Sequence, residues 1–442
     1  MKRTHRKIAG AAGLALCLGI GLGYRAMTDP AAEGPRGTAA APAPASAPHP
    51  PTPAASAPAV VVPASGAGAP ALAADDLFAT LSPRARRMAA DWCGYGAAEI
   101  LKDALAREAA GKDGHAANDG EPPSDGEQVM DAARAQRLQD WIRTLKARSD
   151  VRSQAIGDYL AGDTPSRAHL QDLARRSTDP MVTALALARP CKAEGCRMVD
   201  AAQWARLEPD NLMAWLAQLK DREPPPEQLS YLIERMGRDA RRADDYSLTL
   251  SQAVASLAQA RTPGLLQTAE SELLSQQVMH LPLLTLRPVL QACTPGQTPA
   301  APAGACAHIA GLLWDMPHLM HRALALAFAR RSVPADDPQR AEWARRGERY
   351  ELLSEALMDA NATAFEHMLD QSRPDLCGGA GRLHELLRQV MGTGEWERAA
   401  QAWAAASQPQ EALIQRAREK RGGSSMMEEL PSVDRAASGP RR

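Results

Sequence analysis

The sequence predicts an all-α domain, because three observations agree. Between about residues 76 and 421, alanine, leucine, arginine and glutamine dominate, and these residues favour helices. Aromatic residues are only 4% of the chain, and no segment alternates polar and apolar residues as a half-buried strand does. Apolar residues instead recur at helical spacing in four stripes: Leu138, Trp141, Ile142 and Leu145; Leu212, Trp215, Leu216 and Leu219; Leu229, Leu232, Ile233 and Met236; and Leu383, Leu386, Leu387 and Val390.

The N-terminal segment predicts a membrane anchor. A basic tail, residues 1–7, precedes an uninterrupted apolar run, residues 8–24, and the tail carries Lys2, Arg3, Arg6 and Lys7. Cationic flanks stay on the cytoplasmic side, so we expect a single transmembrane helix in a bacterial inner membrane, with the rest of the chain in the periplasm. The run is 17 residues long, where about 20 would span a typical bilayer. A cleavable secretory signal, with a mature chain beginning after residue 23, is therefore the alternative.

A disordered linker is predicted for residues 25–75. The 41 positions from Pro30 to Pro70 hold 11 prolines and 15 alanines. Such a composition cannot bury a core, and repeated proline favours the extended polyproline II conformation. The extended segment could reach on the order of 140 Å, which would hold the following domain away from the membrane.

The domain predicted for residues 76–421 is longer than one compact core usually organises, which favours a solenoid of helical hairpins. Stripes starting at Leu212, Leu229 and Tyr246 are each 17 residues apart, as the helices of such hairpins would be. Two polar, glycine-rich segments lack the apolar period. They predict an exposed, mobile loop at about residues 110–127 and a disordered tail at residues 422–442.

One part of the domain resembles a known family. The second helix of a tetratricopeptide repeat carries glycine, aromatic, alanine, aromatic and alanine at offsets that match Gly394, Trp396, Ala399, Trp403 and Ala406. The resemblance extends over about residues 380–413, although a leucine stands at position 387, where the family prefers glycine. A second segment, residues 208–215, is similar to the turn between successive repeats. The resemblance implies a superhelix of helical hairpins that binds other proteins.

The cysteines predict disulfide bonds in an oxidising compartment. Six of them lie beyond the apolar run, an even number. Cys191 and Cys196, and likewise Cys293 and Cys306, each bracket a connection between two predicted helices. A disulfide there would contribute about 2 kcal/mol for the shorter loop and about 3 kcal/mol for the longer one. A metal or redox pair is the alternative for Cys191 and Cys196, although such sites favour two intervening residues rather than four.

Cys93 and Cys377 are a third candidate pair, and they test the shape of the domain. They lie near opposite ends of the predicted helical region. An extended superhelix would keep them apart, whereas a strongly curved domain would allow them to pair.

Histidines offer little sign of a metal site. His318 and His321 are one helical turn apart, with Asp315 and His308 nearby. A metal needs three or four converging groups, and an aspartate shortly before a proline is more typical of a helix start. His384 and Glu385 resemble the opening of a zinc-protease helix, but the second histidine is absent. We therefore expect no metal and no cofactor.

The remaining signals favour binding over catalysis. Glu99 lies in a locally aromatic segment and is considered as the acid of a wall hydrolase, yet no catalytic motif surrounds it. Basic and acidic residues number 51 and 52, and they are mixed along the helices, so nucleic acid is not an expected partner. We expect a membrane-tethered periplasmic scaffold that binds other envelope proteins. A hydrolase-type envelope enzyme with a cleft, or a secreted helical protein, is the alternative.

Overall fold

The computed structural model describes residues 80–109, 123–191, 196–219, 225–258, 264–279, 286–294, 301–302, 304–334, 336–368 and 376–428. Every regular element in these residues is helical, apart from one isolated bridge between Asn211 and Arg242. The prediction of an all-α domain is therefore confirmed for this part of the chain. No helix in the described residues is long and apolar enough to cross a membrane. The predicted anchor at residues 8–24 and the predicted linker at residues 25–75 lie outside them.

Eight α-helices and two short segments form the first half of the described structure. The helices are α1 (Pro83–Ala90), α2 (Ala97–Ala109), α3 (Asp125–Lys146), α4 (Val151–Ala161), α5 (Thr164–Arg176), α6 (Pro180–Ala188), α7 (Ala201–Leu207) and α8 (Leu212–Leu216). A π-helical turn, Trp92–Gly96, joins α1 to α2, and a 3₁₀ turn, Ala217–Leu219, follows α8.

Ten further helices complete the described residues. They are α9 (Pro226–Asp239), α10 (Ser247–Leu257), α11 (Leu265–Met279), α12 (Arg287–Ala292), α13 (Ala305–Trp314), α14 (Leu319–Ser332), α15 (Gln339–Met368), α16 (Leu376–Thr393), α17 (Glu395–Ala405) and α18 (Gln410–Glu419).

Short acidic and hydroxyl side chains fix where many helices begin. Asp150, Asp163, Asp179 and Asp200 each accept a hydrogen bond from a backbone N–H in the first turn of α4, α5, α6 and α7. Ser124 caps α3, and the Glu127 carboxylate accepts the Ser124 N–H in return. These bonds satisfy N–H groups that have no partner inside the helix, and each is typically worth about 1 kcal/mol.

Helix α11 joins parts of the chain that are far apart in sequence. It packs against α3, more than a hundred residues earlier, and against α16, about a hundred residues later. Neighbouring helices also pair, among them α3 with α4 and α13 with α14. In an open solenoid each repeat contacts only its neighbours. The contacts of α11 differ from that arrangement, because they bring the N-terminal helices onto the C-terminal half.

All three expected cysteine pairs lie at disulfide distance. The Cα atoms are 6.2 Å apart for Cys191 and Cys196, and 5.8 Å apart for Cys293 and Cys306. The Cα atoms of Cys93 and Cys377 are 5.6 Å apart across a separation of 284 residues. This third pair fastens the π-helical turn to the start of α16, so the described domain is closed on itself.

The C-terminal segment is ordered further than the sequence predicts. The expected tail at residues 422–442 was placed too early, because residues 422–428 are described and the Met427 side chain is buried. The buried carboxylate of Glu351 in α15 accepts hydrogen bonds from Arg418 (3.0 Å), Arg421 (2.7 Å) and the Met426 N–H (2.6 Å). The predicted loop at 110–127 was likewise too long at its end, since α3 begins at Asp125.

Substitution of Glu351 by alanine is expected to release this C-terminal segment. Removal of this buried carboxylate takes a shared acceptor away from two guanidiniums and one backbone N–H, at a cost of about 2–3 kcal/mol. Hydrogen exchange across α18 and residues 420–428 should accelerate. Glu348→Ala is the matched control, because Glu348 lies one turn away, is exposed and contacts only Arg418 of this segment. Equal protection in the two variants would contradict the assignment.

Candidate functional site

A cavity of about 460 Å³ lies where α2, α3, α11 and α16 meet, and we call it the interhelix cavity. Its volume falls in the range that small-molecule and side-chain pockets occupy. Apolar side chains and charged or hydroxyl groups both line it: Trp92, Ala97, Ile100, Met130, Ala380 and Leu383 among the apolar ones, and Asp103, Ser124, Glu127, Arg134, Thr268, Ser271 and Glu272 among the polar ones.

The π-helical turn places one wall of this cavity. The Asp91 carboxylate accepts hydrogen bonds from the N–H groups of Gly94 (3.1 Å) and Tyr95 (2.9 Å). These bonds stabilise the start of the π-helical turn. Gly96 is required, since a Cβ atom there would lie 2.9 Å from the backbone oxygen of Met88. The turn thereby directs Trp92 into the cavity and Cys93 toward α16. Single π-helical turns of this kind are frequent at functional sites.

A buried ionic network joins α3, α11 and α16, three of the four helices that meet at the cavity. Glu270 of α11 is fully buried and pairs with Arg137 of α3. Its second oxygen lies 2.9 Å from Nε2 of His384 in α16. At the edge of the cavity, Arg134 of α3 pairs with Glu272 of α11. The network therefore fixes the spacing of the helices that enclose the cavity.

Glu99, the considered hydrolase acid, is engaged in a different cluster. Arg84 of α1 donates hydrogen bonds to Glu99 (2.6 Å), Asp103 (3.0 Å) and Asp125 (3.3 Å). The hydrogen bonds to Glu99 and Asp103 raise the pKa of the Arg84 guanidinium. Arg84 thus links α1, α2 and α3 beside the interhelix cavity. The Glu99 carboxylate therefore contributes to the junction of these helices.

The fold separates the histidines and the aspartate that the sequence analysis considered as a metal site. Asp315 ends α13 instead of starting a helix, and His308 contacts the Ala240 carbonyl at 2.9 Å. His318 and His321 stay together near the start of α14, and the Glu395 carboxylate of α17 accepts the Leu319 N–H at 2.8 Å in the role expected for Asp315. Among the described residues, no three His, Cys, Asp or Glu side chains are placed to hold a metal ion.

His318 joins residues from three helices into what we call the serine–histidine network. The Ser247 hydroxyl lies 2.7 Å from His318 Nε2, and His318 Nδ1 lies 3.7 Å from a Glu395 oxygen. This order of groups is that of a nucleophile, a base and an orienting acid. Ser247 is 0% exposed, however, and its hydroxyl also donates to the Asp245 carboxylate. An alternating chain of acceptors and donors results, which is suited to holding three helix ends together.

A strained residue and a second buried carboxylate support this network. Tyr246, just before Ser247, is the only non-glycine residue with positive φ (61°) among the described residues. Its hydroxyl donates to Glu208 at 2.6 Å, and Trp204 and Asn211 donate to the same carboxylate. Although burial opposes its charge, these hydrogen bonds keep the pKa of Glu208 below its usual value. Hydrogen bonding to the turn at residues 208–211 therefore stabilises the strained backbone conformation of Tyr246.

Two histidines of this region are expected to titrate on opposite sides of their usual value of 6.5. Burial lowers the pKa of His321, whereas for His318 the hydrogen bond and charge of Glu395 outweigh burial and raise the pKa. Protonated His318 stabilises the fold below pH 6.5, and this contribution is lost as pH rises through its raised pKa. Glu395 has a pKa below its usual 4.5 despite burial, so its contribution is present above pH 4.5.

The ion pair of His318 and Glu395 should therefore stabilise the fold most between about pH 4.5 and 6.5. Proton NMR of the imidazole rings measures both titrations. Glu395→Gln should lower the pKa of His318 toward 6.5 or below it. Two histidines that titrate together in the unsubstituted chain would contradict the assignment.

Comparisons of the chain with protein-family models, curated proteins and solved structures found no match. No tetratricopeptide repeat is established by the structure, so the resemblance of residues 380–413 stays a prediction. The arrangement of the chain's own residues is what supports a function.

Proposed function

We propose that this chain is an exported helical adaptor that binds other proteins of the bacterial envelope, with the interhelix cavity as its docking site. The leader would hold it at the inner membrane, and the proline-rich linker would set its reach. The observation that carries the proposal is the cavity itself. It combines an apolar interior with the charged edge residues Arg134, Glu127 and Glu272, as a pocket for a partner's apolar anchor does.

The construction of the cavity supports a rigid recognition surface. Glu270 and the Cys93–Cys377 pair fix its helices, so little conformational entropy is lost when a partner binds. Three cysteine pairs at disulfide distance fit an oxidising compartment, in agreement with the positive flank of the leader. The hairpin of α16 and α17, which resembles a tetratricopeptide repeat, supports a protein-binding role.

Site-specific crosslinking tests the adaptor proposal. A photoreactive amino acid at Thr268, in the cavity, should give adducts with an envelope protein in intact cells. The same reagent at Gln401, exposed on α17, is the control. Leu383→Glu should abolish the Thr268 adduct by placing a charge among the apolar cavity residues. If neither position yields an adduct, while a small molecule raises the melting temperature, the adaptor proposal fails.

The membrane attachment is tested separately, at the N-terminus. Under the proposal, the chain from membrane fractions retains residues 1–24. A mature chain beginning after residue 23 would leave a secreted helical protein instead.

A serine hydrolase is a second candidate, favoured by the alignment of Ser247, His318 and Glu395. Full burial of Ser247 and its bond to Asp245 oppose it, because an attacking hydroxyl must reach a substrate. A fluorophosphonate probe on the native chain decides between the two candidates. We expect no labelled serine. Labelling lost in Ser247→Ala but kept in Ser251→Ala, one turn further along α10, would favour the hydrolase.

A further inference from the structure

Arg322 of α14 is a buried cation without an acid partner. Only 9% of the residue is exposed, and its Nε donates to the Met316 carbonyl at 2.9 Å. No carboxylate of the described residues lies within ion-pair distance of its guanidinium. Buried arginines are otherwise almost always paired with an anion.

Three indole rings and two further arginines surround Arg322, and together they form what we call the arginine–tryptophan cluster. The Arg322 guanidinium carbon lies 3.9 Å from the ring centre of Trp396 and 5.1 Å from that of Trp314. Arg349 stacks on the same Trp396 ring at 5.7 Å. Arg322 and Arg349 therefore contact the same indole, and their positive charges repel each other.

Arg346 completes the cluster from the same face of α15 as Arg349. Its guanidinium carbon lies 5.7 Å from the Trp314 ring centre and 4.5 Å from that of Trp343. The cluster therefore draws on α13, α14, α15 and α17. A guanidinium that lies over a ring keeps its N–H groups in its own plane, where they can donate to other acceptors. The Nε of Arg322 donates to the Met316 carbonyl and that of Arg346 to Glu342.

The charge around the cluster is unbalanced. Glu342 contacts both Arg345 and Arg346, and Asp315 acts on Arg322 only from beyond ion-pair distance. Among the described residues, Glu342 is therefore the one carboxylate in ion-pair contact with the cluster, whose three guanidiniums carry three positive charges. Burial and repulsion from Arg349 and Arg346 lower the pKa of Arg322 to about 10. A bound anion would relieve both the repulsion and the desolvation of Arg322.

We propose that Arg322, Arg346 and Arg349 form a binding site for a phosphate group. A phosphate group offers several acceptor oxygens to guanidinium donors, and inorganic phosphate also carries up to two negative charges against the excess positive charge of the cluster. The group could come from free phosphate or from the headgroup of an anionic phospholipid. The site is separate from the interhelix cavity, so it does not depend on the adaptor proposal.

Tryptophan fluorescence of the full chain in detergent tests this site, because three of the indoles belong to it. At constant ionic strength, we expect a saturable change on addition of inorganic phosphate or of dihexanoyl phosphatidylglycerol. Dihexanoyl phosphatidylcholine, whose headgroup is zwitterionic, should give none. Arg349→Gln removes an exposed arginine and should weaken binding by about tenfold, the loss of one charge-assisted contact.

Arg345→Gln is the matched control, since Arg345 is on the same helix, 69% exposed and outside the cluster. It should leave the affinity within about twofold. A response to phosphate that Arg349→Gln weakens assigns free phosphate as the source. A response to phosphatidylglycerol alone, weakened in the same variant, assigns a lipid headgroup. No saturable response to either anion, or equal loss in both variants, would overturn the proposal and leave a purely structural stack.

Discussion

Replacement of both Cys93 and Cys377 by serine is expected to lower the free energy of unfolding by about 4–5 kcal/mol. The pair closes a separation of 284 residues, so it removes much conformational freedom from the unfolded chain. It also fastens the π-helical turn to α16 at the interhelix cavity. Urea unfolding of the purified chain, followed by circular dichroism, measures the change.

The Cys191–Cys196 pair provides the internal comparison. Its separation is 5 residues, and its removal should cost only about 2 kcal/mol. Both variants lose two sulfur atoms and gain two hydroxyl groups, so the difference between them reports mainly on loop closure. Equal destabilisation would show that Cys93 and Cys377 do not constrain the chain across the domain.

Substitution of Glu270 by alanine should destabilise the fold by about 3–5 kcal/mol, because it leaves Arg137 without its buried partner and His384 without an acceptor. The effect should extend to function. Without the Glu270 carboxylate, α11 no longer fixes the spacing of α3 and α16, and the yield of crosslinking from Thr268 should decline. Thermal unfolding and the crosslinking yield provide the two measurements.

Glu272→Ala is the matched control for this second substitution. Glu272 is on the same helix and also pairs with an arginine of α3, but its side chain is 40% exposed. Exposed pairs contribute about 0–1 kcal/mol, so the variant should unfold near the original midpoint. If Glu270→Ala and Glu272→Ala unfolded at the same temperature, the buried network would not be what holds α3, α11 and α16 together.

The sequence predicted the helices well because their signals are local. The apolar stripes at Leu138, Leu212, Leu229 and Leu383 all lie in helices, although the last residue of the Leu212 stripe falls in a 3₁₀ turn. Local rules also misplaced one boundary. Asp315 followed by Pro317 resembled a helix start, but Glu395, 80 positions away, supplies the acceptor instead.

Closure of the domain could not be predicted, because it depends on contacts between distant segments. Pairing of Cys93 with Cys377 was left open for this reason, and the interhelix cavity was not anticipated. One signal in the sequence could have located the buried ionic network beside this cavity. Arg137, Glu270 and His384 each stand three or four residues from a buried apolar side chain on the same helix face, at Trp141, Leu274 and Leu387. Charged groups on the buried face of a helix are expected to form ion pairs with one another.

Mapping of disulfides in the full chain, isolated from bacterial envelopes under non-reducing conditions, tests most directly whether this is an exported helical domain closed on itself. Mass spectrometry of the digested protein should find the peptide that carries Cys93 linked to the peptide that carries Cys377. Free thiols at both positions, in protein whose leader has directed it to the envelope, would contradict the closed domain and the rigid cavity built on it.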